Sequence, residues 1–416
     1  MPITEHPVQP VQPRSARAPS RLHAFSSRAL AGTAALALFS FVAAMPLSAN
    51  SRVGLILLVC ITLVLCLAQP RRMLSLLNPL DHAPMLAAGA LASWYLVLAV
   101  NWHASAPAMD ALRLLLSCAL LLLVRRLRIS SDTLWLACCV AAIILGAQSA
   151  WQALVQGLPR AQGVYFHNIV GALGAIFGLL PWLARPSHWQ RGWRRSLLWL
   201  GLVGGIVAAL FSSSRMAWIT IVVLLLASLR REQRVRGIVL GGVLLALVTG
   251  FSSVVQDRWQ SLFNDLALYH NGDVVTSMGM RFEMWRASVE SILARPWLGV
   301  GPDGFVALMR TGVEQGRWPA AMAQHTHAHN EFLHAWVTGG LPSMLGLMAL
   351  LYYSWRASRR LEAAHPAQAA AARGARAIIL LLVLLGLSET TLIYGGIFNL
   401  YLVCLLLCLG WAGRDR

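Results

Sequence analysis

The 416-residue sequence contains no lysine; all 34 of its basic residues are arginine. It is also short of charge. Charged residues make up 12% of the chain, against about 25% in soluble globular domains. That shortage excludes a soluble globular protein, and the 57% hydrophobic content excludes intrinsic disorder. Cysteine is missing from the long polar connections. Cys60, Cys66, Cys118, Cys138, Cys139, Cys404 and Cys408 all lie inside apolar runs, so no disulfide is expected.

What the chain has in abundance is apolar runs of about 20 residues. They begin near Ala29, Val53, Met85, Asp110, Leu134, Asn168, Ser196, Met216, Gly237, Glu331, Ala377 and Ile397. This pattern predicts an all-α polytopic membrane protein with about twelve transmembrane helices. The net charge of +18 and the pI of 11.1 would suit a nucleic-acid partner. In a membrane protein, basic cytoplasmic connections account for that charge, and no nucleic acid is expected.

The arginines set the expected topology. Alternate connections are basic: Arg71-Arg72, Arg125 to Arg128, Arg185 to Arg195, Arg230 to Arg236 and Arg356 to Arg376. With the N-terminal tail and Arg414 and Arg416, 24 of the 34 arginines fall on one side. The positive-inside bias puts that side, and both termini, in the cytoplasm. The expected organisation is a basic tail (1–28), helices one to nine (29–255), a long outer loop (256–330), helices ten to twelve (331–413) and a short C-terminus (414–416). Outside the long loop, the outer side holds Arg52, Arg113, Arg160 and Arg215. Each one singly reads equally as a snorkelling interface residue or as a group facing a cavity.

The long loop concentrates the polar chemistry. From Arg281 to Arg295 an amphipathic helix is expected, with Phe282, Trp285, Val289, Ile292 and Leu293 on one face and Ser277 as N-cap. Arg281 would then sit in its first turn, against the helix dipole, where a bound anion would offset the cost. Pro296-Trp-Leu-Gly-Val-Gly-Pro stops the helix, and its glycines permit tight turns and close backbone approach. It lacks the strand–turn–helix setting of a nucleotide site. Then comes Gln324-His325-Thr326-His327-Ala328-His329-Asn330-Glu331. Alternate histidines can chelate zinc, although no second cluster of ligands accompanies them. A neutral imidazole such as His329, at the mouth of a helix, also suits general-base work. A polar interface segment is the third reading. Further on, Glu389 lies in an apolar stretch and needs a partner, for which an outer-side arginine is the natural candidate.

Four pieces in this order resemble the O-antigen ligase family, part of the wider O-antigen ligase/polymerase superfamily. They are Arg160-Ala-Gln-Gly-Val-Tyr-Phe-His-Asn168; Ser212-Ser-Ser-Arg215; Arg281 with Pro296-Trp-Leu-Gly-Val-Gly-Pro; and His327-Ala-His329-Asn-Glu-Phe-Leu followed by Gly339-Gly340-Leu-Pro. The family's further glycine is Ser343 here, and His-Asn stands at 167–168 where relatives often have Pro-Asn. The resemblance implies a multi-pass protein of the bacterial inner membrane with its long loop in the periplasm. It implies glycosyl transfer from undecaprenyl pyrophosphate-linked O-antigen to lipid A–core oligosaccharide, inverting, with no nucleotide sugar, cofactor or metal. On that basis His329, Arg215 and Arg281 are expected to be catalytic, with the base falling on His327 or His329. Arg160, Asn330, His327 and Glu389 are expected at the substrate.

The same resemblance admits an O-antigen polymerase or a protein O-oligosaccharyltransferase. The latter usually carries more sequence after its histidine motif than the stretch to Arg416. A lipid-linked glycan flippase is a different class. It would favour internal repeats and charges at the bilayer midplane, and neither is evident.

Overall fold

The computed structural model of the chain describes residues 21–48, 52–229, 233 and 253–414. Every regular element among the described residues is helical. In chain order the helices are α1 (Arg21–Ala43), α2 (Arg52–Ala68), α3 (Pro70–Leu74), α4 (His82–Asn101), α5 (Ser105–Leu127), α6 (Asp132–Leu154), α7 (His167–Ala184), α8 (Gly192–Ser212) and α9 (Arg215–Ser228). After the loop helices α10 (Ser253–His270), α11 (Ser277–Ala294) and α12 (Gly304–Glu314) come α13 (Glu331–Ala364), α14 (Ala369–Gly386) and α15 (Gly395–Ala412).

Eight of the described helices, α4 to α8 and α13 to α15, are long and apolar enough to cross a membrane. Three shorter apolar helices, at Arg28–Ala43, Arg52–Ala68 and Arg215–Ser228, fall on the remaining described runs. The chain is thus an all-helical polytopic membrane protein. The run expected from Gly237 lies outside the described residues.

Small residues let the helices approach closely, as membrane packing favours. Both α6 and α7 lie against α8. A Cβ at Gly204 of α8 would fall 2.6 Å from the Ala142 carbonyl oxygen of α6. On the other side of the bundle, α4 packs on α5 and α13, and α15 on α5. Helix α14 joins the two groups by lying against α7 as well as α13 and α15.

One helix is broken where the site is built. Inside α13, Gly340 adopts φ 72° and ψ 177°, and Pro342 follows. The positive φ suits glycine and interrupts the hydrogen-bond ladder. The freed groups find partners in the turn that ends α11. Val300 donates its amide to the Val337 carbonyl at 2.8 Å, and Leu341 donates to the Pro296 carbonyl at 2.8 Å. The Gly339 carbonyl accepts from Trp94 Nε1 at 2.8 Å and Ser343 Oγ at 2.9 Å. The Pro296–Gly301 block therefore docks on the Gly339-Gly340 break. Ser343 satisfies a carbonyl that the break exposes.

Candidate active site

Helix α11 is the template for the histidine segment. Its N-cap is Thr276 rather than the expected Ser277: Thr276 Oγ1 accepts from the Gly279 amide at 3.0 Å, and Ser277 is already helical. Arg281 consequently sits in the second turn, away from the first-turn amides whose dipole would oppose it. The buried face also differs from expectation. It is formed by Gly279, Glu283, Met284, Ala287, Ser288 and Ile292, whereas Val289 and Leu293 point outward. Hydrogen bonding turns the helix this way. Glu283 accepts from Tyr269 Oη at 2.9 Å and from Trp318 Nε1 at 3.3 Å, and a carboxylate is buried only when so paired. The outward apolar side chains suit a helix at a membrane boundary. Trp285 Nε1 donates to the Ala328 carbonyl at 2.9 Å, which fixes the chain just before His329.

Three residues meet on one carboxylate. Glu389 lies in the connection between α14 and α15 and is 4% exposed. Its Oε1 accepts from Arg281 Nη2 at 2.9 Å. Its Oε2 accepts from Asn168 Nδ2 at 2.8 Å and faces His329 Nδ1 at 3.3 Å. Arg281 Nη1 donates to the neighbouring Ser388 Oγ at 2.6 Å. Burial alone would raise the Glu389 carboxyl. The His329 hydrogen bond, the Arg281 charge and the Asn168 amide outweigh it and hold the group at about 2. Ionised, Glu389 can only accept, so the proton between it and His329 belongs to Nδ1. The lone pair of His329 is then on Nε2.

Backbone geometry aims that ring. His329 has φ 48°, an uncommon conformation for a side chain with a Cβ. The next residue, Asn330, is the N-cap of α13. Its Oδ1 accepts from the Phe332 and Leu333 amides at 3.1 and 3.0 Å, and its Nδ2 donates to the Leu387 carbonyl at 3.0 Å. Both ends of the Asn330 side chain are therefore engaged by protein. These bonds lock the segment onto the connection that carries Glu389.

His327 is buried beside His329, with ring centroids 4.3 Å apart. Its Nδ1 pairs with Thr326 Oγ1 at 3.0 Å. Burial, then the proximity of His329 and His334, pushes its imidazolium down to about 3. His325 meets Met280 Sδ at 3.4 Å and has its pKa lowered, first by burial. The three rings do not converge on one point. Among the described residues, no group of three or more His, Cys, Asp or Glu side chains is placed to hold a metal ion.

Arg160 and Arg215 meet about the 212–215 turn. Arg160 donates from Nε to the Ser212 carbonyl and from Nη2 to the Ser213 carbonyl, both at 3.4 Å. Arg215 opens α9 and donates to Ser261 Oγ of α10 at 2.7 Å. Gly171, one turn after Asn168 in α7, lies against this turn: a Cβ there would fall 2.6 Å from Ser214 Cβ. The start of α7 thus carries both groups, with Arg281, His329 and Asn168 on Glu389 and with Arg160 and Arg215 about the 212–215 turn. Asn168 and Ser388 had no assigned role from sequence. The amide of Asn168 lies in a motif already visible; Ser388 is marked only by adjacency to Glu389.

Fold and site together define a polytopic membrane protein whose buried carboxylate orients a histidine beside several arginines. Residues 200–348 match the O-antigen ligase family model, and that match together with a distant O-antigen ligase relative supports this family of glycosyltransferase-like membrane proteins. It is similar to an uncharacterized protein of Haemophilus influenzae, 25% identical over 253 residues, covering 58% of this chain and 63% of that protein. It is also similar to an O-antigen ligase of Escherichia coli, 27% identical over 117 residues, covering 28% of this chain and 27% of that protein. The chain therefore spans less than two thirds of either relative's length. The family match takes in Arg215, Arg281, His327 and His329, whereas Arg160, Asn168 and Glu389 lie outside it.

Proposed function

We propose that this protein is an O-antigen ligase, transferring O-antigen polysaccharide from undecaprenyl pyrophosphate to lipid A–core oligosaccharide. The observation that carries the reading is the bond from His329 Nδ1 to a carboxylate that Arg281 also holds. A carboxylate behind a histidine fixes its tautomer and stabilises the imidazolium that forms when the ring takes a proton. His329 Nε2 is then the general base for a hydroxyl of the acceptor sugar.

As that hydroxyl loses its proton, its oxygen forms a bond to the anomeric carbon of the donor. The bond from that carbon to the diphosphate breaks, and the electron pair leaves with the lipid diphosphate. Single-step attack inverts the anomeric configuration. Negative charge builds on the leaving diphosphate, where guanidinium groups supply paired donors that stay protonated. Arg281 and Arg215 are assigned that work, with Arg160 beside them. No nucleotide sugar or metal enters this scheme. Glu389 and Asn330 position the machinery, and His327 shields the base from one side.

The arginine-rich end is assigned to the cytoplasm and the site to the periplasmic face of the inner membrane. The outward apolar surface supplies contacts for prenyl and acyl chains. The test is reconstitution of the full chain with purified donor and acceptor lipids, without nucleotide or divalent metal. Transfer to lipid A–core is expected. Extension of a second lipid-linked glycan, with the core left untouched, would make the protein a polymerase; no transfer to either acceptor would overturn the reading.

A further inference from the structure

Thr326 of the histidine segment lines a cavity of about 420 Å³, within the roughly 300–1,000 Å³ of ligand sites. Helices α4, α5, α12, α13 and α15 enclose it, and its polar lining includes Tyr95, Asp110, Asp303, Thr326, Glu331 and His334. Resting on the glycosyl-transfer reading above, we propose that this cavity is the subsite for the acceptor carbohydrate, a neutral, hydroxyl-rich ring.

Glu331 carries the argument. Its side chain is 3% exposed, yet it lines the cavity. Oε2 accepts from the Thr391 amide at 2.8 Å and the Leu392 amide at 3.0 Å. Oε1 accepts no hydrogen bond among the described residues. A buried carboxylate oxygen without a donor is costly, and a sugar hydroxyl is such a donor. Asp303, the N-cap residue of α12, makes no side-chain capping bond, so its carboxylate is available to the cavity. The flat faces of Tyr95 and Phe398 offer apolar surface to the C–H side of a sugar ring.

Asp303 and Glu331 face the cavity as acceptors for hydroxyl groups, whereas Asp110 on its wall is already ion-paired with Arg113. Thr326 and Glu331 belong to the cavity wall, and His327 packs 4.3 Å from His329 and 6.5 Å from His334, ring centre to ring centre. His327 thus stands between the cavity wall and His329, and an acceptor hydroxyl from the cavity would reach the base past the His327 ring.

The experiment uses the full chain with Asp303→Asn and, separately, Ala106→Trp, which narrows the cavity from α5. The acceptor KM should rise about tenfold or more in each, the loss expected when a hydrogen bond to a charged group goes. The donor KM should stay within about twofold. Deacylated lipid A–core oligosaccharide should raise the melting temperature of the wild type and not of the variants, a readout that needs no turnover. Unchanged acceptor KM and unchanged protection in both variants would overturn the cavity assignment and leave glycosyl transfer standing. Equal rises in donor and acceptor KM would overturn it too, because the cavity would then serve both lipids. Absence of transfer by the wild type would remove the underlying reading, and the acceptor subsite with it.

Discussion

Two arginine–carboxylate pairs stand at opposite ends of the bundle, and they are built differently. At the arginine-rich end Arg125 pairs with Asp81, with side chains 3% and 1% exposed. Every guanidinium nitrogen is engaged: Nε on the Gly410 carbonyl, Nη1 on the Leu76 carbonyl and Asp81, Nη2 on Asp81 and the Leu409 carbonyl. At the loop end Arg281 is 20% exposed, and its described bonds come from Nη1 and Nη2. Its carboxylate is shared with a histidine of uncommon backbone conformation. Saturated donors with no route to solvent hold helices together. Donors facing an opening, on a carboxylate that also orients an imidazole, are arranged for a ligand.

The largest effect that can break this comparison is at the base. His329→Ala should lower turnover by roughly two to four orders of magnitude, with donor binding and melting temperature close to wild type. EDTA should leave the wild type unaffected. Equal losses in His325→Ala, His327→Ala and His329→Ala, restored by added zinc, would replace the base with a metal site. Next comes the opposite end. Arg125→Ala leaves Asp81 buried without its cation and should cost about 3–5 kcal/mol of stability. Abundance and melting temperature should fall while activity per folded molecule holds. Lost activity in a normally stable Arg125→Ala protein would abolish the contrast between the two ends.

Arg281→Ala should cost roughly two to three orders of magnitude in kcat, the scale of one lost transition-state donor. Arg281→Lys should recover little of it, because an ammonium cannot span Ser388 and Glu389 as the guanidinium does. Full activity in the lysine variant would mean that a point charge suffices.

Much of this contrast was legible in the sequence. Hydropathy and the alternating arginines outline a polytopic bundle, and Glu389, as a carboxylate in an apolar stretch, announces its need of a cation. Local order also places His329 and Asn330 at a helix start. What could not be read is set by tertiary contact. Arg281 and Glu389 are 108 residues apart in sequence, and Asn168 and Glu389 are 221 apart. The buried face of α11 departs from its apolar periodicity because Glu283, polar by type, is buried by bonds to Tyr269 and Trp318, which periodicity cannot register. The Thr276 cap shifted by one residue because threonine and serine compete for the same amide. The sequence signals glycine at 339 and 340 but not that the Pro296 turn docks there.

The smallest effect separates two adjacent histidines. His329 has a carboxylate on Nδ1, whereas buried His327 has only the Thr326 hydroxyl there. Burial first, and then neighbouring His329 and His334, pushes His327 down to about 3. An unfolded chain takes up that proton below about 6.5. Between these values the unfolded state binds more protons, so His327 destabilises the fold progressively as pH falls and has no such effect above about 6.5. At pH 5 the penalty is at most about 2 kcal/mol, since each pH unit below the unfolded value contributes about 1.4 kcal/mol. His327→Asn keeps a polar side chain that does not titrate. Its melting temperature should therefore drop less than that of the wild type between pH 7 and pH 5. Parallel curves would show that His327 accepts its proton as readily in the fold as outside it, and the difference drawn between the two histidines would then rest on Glu389 alone.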